Sequence, residues 1–120
     1  MKITTWNVNG YRAVIKKGFR DWVSTDNPDI LCLQEVKARP DQVDEDHLNY
    51  YGYEYFWNPA ERAGYSGVTV FTKHKPLEFG FGLGEERFDS EGRVIWMRFA
   101  DFLIFNIYFP NGQRGKDRVD

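Results

Sequence analysis

The chain has 120 residues, 42% of them hydrophobic and 18% aromatic, with a formal net charge of -2. That is enough apolar material for one packed core, which excludes a disordered chain. The near-neutral charge excludes a uniformly basic nucleic-acid binder, so contact with a nucleic acid has to come from a local patch. Cys32 is the single cysteine, set in the apolar run Ile30-Leu31-Cys32-Leu33. A buried free thiol is expected, and an intramolecular disulfide is excluded. The opening Met1-Lys2-Ile3-Thr4-Thr5-Trp6 lacks the apolar stretch of a secretion leader, and no segment has the length of a membrane span. The expectation is a cytoplasmic protein with no membrane partner.

In chain order, residues 2–8 read as a strand rich in Ile, Thr, Trp and Val, broken by Asn9-Gly10. Residues 11–25 predict one amphipathic helix, with Ile15, Phe19, Trp22 and Val23 on one face and Asn27-Pro28 as its stop. Residues 29–34 form a short apolar strand expected to be buried on both faces. A polar loop with Arg39-Pro40 follows, then a short helix over 41–48. From Tyr53 the pattern alternates as strands do: 53–58, 68–72, 77–81, 93–99 and 103–109, the last two joined by a tight turn at Ala100-Asp101-Phe102. The class is α/β, with antiparallel pairing expected in the second part.

Functional-looking side chains fall at predicted strand ends. Asn7 closes the first strand, Glu35 directly follows the second, and Tyr108 and Asn111 lie at or past the end of the last. Ligands gather outside the carboxyl ends of strands in open α/β sheets. A carboxylate placed directly after a buried strand is costly without a partner. A hard cation such as Mg²⁺ suits Glu35, and so does an ion pair with Lys37. Asn7 can orient a carboxylate or phosphate oxygen, or serve as a turn former before Asn9-Gly10. The Tyr108 phenol can donate to a phosphate oxygen, or be one more strand aromatic. Arg114, Lys116 and Arg118 form a small basic cluster suited to phosphates, interleaved with Asp117 and Asp120. His47 and His74 show no metal-ligand spacing. No helix pattern follows Gly80-x-Gly82-x-Gly84, which reads as a bulged or flexible strand and not a phosphate cradle.

Taken in order, these segments resemble one family. Trp6-Asn7-Val8-Asn9-Gly10-Tyr11-Arg12-Ala13 is similar to the opening motif of exonuclease III-type abasic-site endonucleases. Residues 30–37 resemble their metal-ligand motif, 63–68 their central glycine motif, and Glu91-Gly92-Arg93 a short one after it. Asn106-Ile107-Tyr108-Phe109-Pro110-Asn111 resembles the segment that carries the active-site tyrosine. The likeness spans essentially the whole chain.

The resemblance implies the N-terminal half of a four-layered, DNase I-like α/β sandwich, with mostly antiparallel sheet flanked by helices and this half supplying chiefly one sheet. It implies a nuclease that hydrolyses the phosphodiester 5′ to an abasic site in double-stranded DNA, also trims 3′ ends, and uses Mg²⁺ or Mn²⁺. Glu35 takes the place of the metal ligand with Asn7 beside it, and Tyr108 that of the active-site phenol. Asn111, Arg114 and Asn9 stand where substrate contacts are expected. Some relatives carry Asp at the position of Asn9, which leaves a second metal position open here. Relatives continue for a comparable length with further catalytic motifs, so the 120 residues alone are expected to be inactive, and the full-length protein monomeric. Two other readings are a phosphodiesterase of the same superfamily acting on another phosphate ester, and a non-catalytic DNA-binding or structural piece.

Overall fold

The computed structural model describes residues 1–109; the expectations placed on Asn111, Arg114, Lys116 and Arg118 lie outside the described residues. Among the described residues seven strands form two sheets. The first contains β1 (Ile3–Asn7), β2 (Ile30–Gln34), β3 (Glu54–Asn58) and β4 (Val68–Thr72) in the order β1-β2-β4-β3. The second contains β5 (Glu78–Phe81), β6 (Val94–Arg98) and β7 (Leu103–Ile107) in chain order. β1 and β2 pair in parallel, as a strand-helix-strand connection allows; the other pairings among the described residues are antiparallel.

Alternation along the strands decides which residues meet. Leu31 and Leu33 of β2, Trp57 of β3 and Phe71 of β4 turn one way and pack with Tyr11, Val14, Phe19 and Val23 of the helical segment. Ile30 and Cys32, Phe56, Val68 and Val70 turn the other way and meet Ile95 and Met97 of β6. β2 is therefore buried on both faces, as its unbroken apolar run requires. The layers are helices, sheet, sheet, with two cores separated by the first sheet. Each large apolar side chain buried this way contributes about 1.5–3 kcal/mol. The fold is the expected α/β sandwich with mostly antiparallel pairing. The described residues supply two facing sheets, not chiefly one, because β5 to β7 turn Phe79, Ile95, Met97 and Ile104 onto the first sheet.

Three local expectations change. The helix over 11–25 is two helices, α1 (Tyr11–Ile15) and α2 (Phe19–Asp26), because Gly18 takes a left-handed φ of 92° between them. Phe19 and Val23 still face the core, with Ile15 and Trp22 half-buried against it. The helix over 41–48 is a pair of 3-10 turns, Pro40–Gln42 and Glu45–His47. The run Gly80 to Gly84 ends β5 and leads into a one-turn helix α3 (Glu86–Asp89). Asp89 closes that loop, accepting the backbone N–H groups of Leu83 and Gly84 at 2.9 Å each, so these donors are already engaged. Among the described residues no helix is long and apolar enough to cross a membrane.

Cys32 lies in the inter-sheet core, and burial pushes its thiol up to about 12, so it behaves as a small apolar side chain. The far end of the first sheet is tied by charge. The Lys2 backbone N–H donates to Asp29 at 2.7 Å, His74 Nε2 sits 3.0 Å from the other carboxylate oxygen, and Lys2 Nζ reaches Asp26 at 2.8 Å. The Lys2 N–H first, and His74 second, hold the Asp29 carboxyl below its ordinary range. A carboxyl depressed in the folded state stabilises above its unfolded pKa, about 3.9, and loses that contribution as the pH falls through the folded value. Asp29→Asn should therefore melt below the wild type at pH 6, with the two curves converging below about pH 4. Thermal melts across that window check it; a gap that stays constant to pH 2.5 would assign the effect to something other than this carboxylate.

Candidate active site

The chain leaves β2 through an unusual turn. Glu35 has φ of 57° and Lys37 of 55°, both left-handed, and such conformations are strained for residues other than glycine. Backbone hydrogen bonds on both sides hold this stretch. The N–H of Val8 donates to Gln34 O at 3.1 Å, that of Gly10 to Glu35 O at 2.7 Å, and that of Tyr11 to Val36 O at 2.8 Å. On the other side Val36 N–H donates to Gly67 O and Lys37 N–H to Ser66 O. Segment 8–11 and the loop ending at Gly67 thus continue the sheet past its formal end. Gly67 must be glycine: its φ is 91°, and a Cβ there would stand 2.8 Å from a methyl of Val36.

This arrangement gathers the candidate residues of the first two motifs. Asn7 Oδ1 accepts the Asn9 backbone N–H at 3.0 Å, so Asn7 does serve as a turn former. Asn9 Oδ1 accepts from Lys37 Nζ at 2.8 Å, and the same ammonium stands 3.5 Å from a Glu35 carboxylate oxygen. The ion pair weighed for Glu35 is therefore present. Arg12 donates to the Lys37 carbonyl at 3.2 Å, adding a second cation beside the first. Asn7, on the face of β1 turned toward the second sheet, is exposed.

Tyr108 reaches the same end from the second sheet. Its N–H donates to Arg93 O at 2.8 Å, prolonging the β6–β7 ladder, and its ring joins the inter-sheet core. The strand before it carries Asn106 inward, where its amide meets Gln34 at 2.8 Å. Neither Asn106 nor Gln34 stands out from residue type. Their one legible signal is a polar residue inside an apolar strand, which has to find a partner. The central glycine motif and Glu91-Gly92-Arg93 also meet: Tyr65 OH donates to Glu91 at 3.3 Å, and Glu91 pairs with Arg93. His74 is engaged with Asp29 at the opposite end of the sheet, and the His47 carbonyl accepts from Tyr11 OH at 2.5 Å. Among the described residues no three His, Cys, Asp or Glu side chains gather as a metal cluster.

The donor set nonetheless suits a hard divalent ion, which binds through one or two carboxylates and fills its remaining positions with water and phosphate oxygens. Glu35 faces the Lys37 ammonium at 3.5 Å, a long contact that leaves its carboxylate oxygens available to such an ion.

Comparison with known proteins gives the site its context. A profile of the Endonuclease/Exonuclease/phosphatase family matches residues 4–114. The chain is 46% identical to a DNA-(apurinic or apyrimidinic site) endonuclease of Dictyostelium discoideum over 100% of its own length and 33% of that protein's. It is 44% identical to an exodeoxyribonuclease of Bacillus subtilis, over 100% of its own length and 47% of that protein's. The chain thus spans less than half the length of these curated relatives. Among solved structures, an AP endonuclease from Archaeoglobus fulgidus superposes with a TM-score of 0.77 at 31% identity, covering 93% of this chain and 42% of that one. A 3′ phosphatase from Neisseria, bound to product DNA hairpin, gives 0.77 at 32% identity, covering 93% and 42%.

If Glu35 is there for chemistry, its charge contributes little to the fold. The pair is long at 3.5 Å and open to solvent on the Lys37 side, 35% exposed against 17% for Glu35, and a pair of this kind is worth about 1 kcal/mol. Glu35→Gln should therefore change the urea-unfolding free energy by about 1 kcal/mol or less. A larger loss in equilibrium unfolding would make Glu35 a structural residue.

Proposed function

The chain belongs to the Endonuclease/Exonuclease/phosphatase family, and we propose that it carries the metal-binding portion of a DNA-repair nuclease that hydrolyses the phosphodiester 5′ to an abasic site in duplex DNA. Trimming of 3′ ends is part of the same proposal. The observation that carries it is the meeting of Asn7, Asn9, Glu35 and Lys37 at one sheet end, with Tyr108 brought to that end by the second sheet. The relatives named for abasic-site and exonuclease activities support the substrate class.

In this proposal Glu35 holds Mg²⁺, with Mn²⁺ as a substitute, and Asn7 lies beside it. When bound, the ion supplies positive charge against the phosphoryl oxygens and the leaving oxygen. The chain's own groups do the rest that falls to this portion. Glu35 is held in one place by its strained, doubly hydrogen-bonded turn, so little reorganisation is needed when a cation arrives. The Tyr108 hydroxyl donates to a phosphate oxygen. Asn9, with Asn111 and Arg114 beyond the described residues, contacts the substrate. Arg12 and Lys37 provide local positive charge for phosphates on a chain that is acidic overall. An abasic nucleotide has no base to unstack, so drawing it out of the duplex is cheap and favours this lesion. One carboxylate and one amide are few ligands for Mg²⁺, and His74 is engaged with Asp29 at the opposite end of the sheet. Incision is therefore expected of the full-length protein and not of the 120 residues alone.

The test is incision of a duplex carrying one abasic site, by the full-length protein, across a Mg²⁺ titration. Glu35→Ala should shift the Mg²⁺ requirement upward and lower turnover. Tyr108→Phe removes only a hydroxyl; it should lower kcat by about a hundredfold while leaving DNA affinity nearly unchanged, because the hydrogen bond matters most in the transition state. A Phe variant equal to wild type would reduce Tyr108 to a core aromatic. Absence of Mg²⁺-dependent incision by the wild type would overturn the proposal.

A further inference from the structure

We infer that Asn106 is a positioning residue: together with Gln34 it forms a polar strut across the two sheets that sets where Tyr108 stands relative to Glu35. The inference rests on the nuclease reading for its catalytic consequence, but its geometry stands apart from that reading.

Asn106 lies on β7 with its side chain turned to the first sheet and is 2% exposed. Its register partner Ile95 is in the inter-sheet core. An amide buried in such surroundings is destabilising unless its hydrogen bonds are made. Here they are made, and all to the first sheet. Nδ2 donates to the carbonyls of Leu33 at 3.1 Å and Thr69 at 2.9 Å, and Oδ1 accepts from Gln34 Nε2 at 2.8 Å. The orientation is dictated, since two carbonyl oxygens can be met only by the NH₂ end. Leu33 and Thr69 are register partners on β2 and β4, so Asn106 clasps the junction of two strands at once. Gln34 Nε2 also lies 2.8 Å from Thr5 Oγ1, which extends the network to β1.

Sequence adjacency turns this clasp into a positioning device. Gln34 is followed directly by Glu35, and Asn106 precedes Tyr108 by one intervening residue. The apolar inter-sheet contacts near this end are non-directional and tolerate small sliding motions. The three hydrogen bonds of Asn106 do not. The other side-chain hydrogen bond between the sheets here, Asn58 Nδ2 to Val94 O at 2.8 Å, ties β3 to β6 and not the strands that lead to Glu35 and Tyr108. Without the Asn106 bonds the sheets still pack and stay tied at β3, but the direct link between β2 and β7, the strands that lead to Glu35 and Tyr108, is gone. Misplacement of reacting groups by about 1 Å can lower a rate by about a hundredfold.

The experiment compares Gln34→Met with wild type in the full-length protein. Met keeps the size of Gln and removes the hydrogen bond to Asn106, while the two bonds from Asn106 to the main chain remain. Three quantities are read: kcat and KM on abasic-site duplex at saturating Mg²⁺, the melting temperature, and the fluorine resonance of Tyr108 in 3-fluorotyrosine-labelled protein, assigned through Tyr108→Phe. Expected are a kcat lowered by about tenfold or more, an unchanged KM, a melting temperature lowered by a few degrees by the orphaned Asn106 Oδ1 with the protein still folded at the assay temperature, and a displaced or broadened Tyr108 resonance. Asn106→Leu, which breaks all three bonds, should show the same pattern more strongly if it folds. An unmoved Tyr108 resonance with unchanged kcat overturns the inference, and so does a kcat loss matched by the unfolded fraction with the resonance unmoved. Should the wild type fail to cleave, the nuclease reading falls, and the fluorine resonance alone then decides the strut.

Discussion

The turn that carries Glu35 out of β2 is the constraint on which the rest of this structure hangs. β2 is buried on both faces, so its end cannot drift, and the residues after it must be satisfied by whatever lies alongside. Five main-chain hydrogen bonds do this, from Val8, Gly10 and Tyr11 on one side and to Gly67 and Ser66 on the other. They explain several features together. The Asn9-Gly10 break lets the chain turn from β1 into α1 while still donating to Glu35 and Val36. Gly67 allows the opposite loop to approach Val36 closely. The left-handed backbone at Glu35 and Lys37 is tolerated because its neighbours over-determine it.

Charge follows the same division of the molecule. At the end opposite Glu35, Lys2 Nζ pairs with Asp26, and Asp29 accepts the Lys2 backbone N–H and lies 3.0 Å from His74 Nε2. At the Glu35 end, the Lys37 ammonium faces the Glu35 carboxylate at 3.5 Å, and the Arg12 guanidinium is held on the Lys37 main-chain carbonyl with no acidic partner among the described residues. The net charge of -2 therefore conceals an uneven distribution. A local surplus of cations at a strand end is the kind of patch that a nearly neutral protein needs if it is to meet a polyanion.

Much of this was legible in the sequence, where local chemistry and global fold agree. The apolar run 30–33 predicted a strand buried on both faces, and alternation from Tyr53 onward predicted the antiparallel strands. The helix from Tyr11 failed at Gly18, where face periodicity hid a residue able to adopt a left-handed φ and end the first helix. The exposed apolar surface was only half legible. On the last hairpin Leu103 and Phe105 are exposed, while Phe99 is buried against Phe102, because the hairpin turn folds it under. Side-chain alternation gives the two faces of a strand, yet which face is covered depends on the partner sheet. The motif residues Asn7, Asn9 and Glu35 do come together; their grouping needed the parallel pairing of β1 with β2, which periodicity alone does not supply.

Asn106 shows why a buried amide serves where an apolar side chain would pack equally well. Leucine at this position would bury as much surface, yet would leave the carbonyls of Leu33 and Thr69 without their third-strand donor and Gln34 without its acceptor. Each hydrogen bond lost this way is worth about 0.5–1.5 kcal/mol, since Gln34 keeps Thr5 as a partner, so the amide is kept by its partners as much as by its own burial. What it adds beyond stability is direction. Apolar contacts between Ile30, Val70, Ile95 and Met97 hold the sheets together without favouring one register over its neighbours, whereas three hydrogen bonds from one side chain accept a single relative placement. A site assembled from two sheets needs that distinction. Glu35 belongs to the first sheet and Tyr108 to the second, and only a directional link between them can hold both to one geometry through the thermal motion that a sliding interface permits.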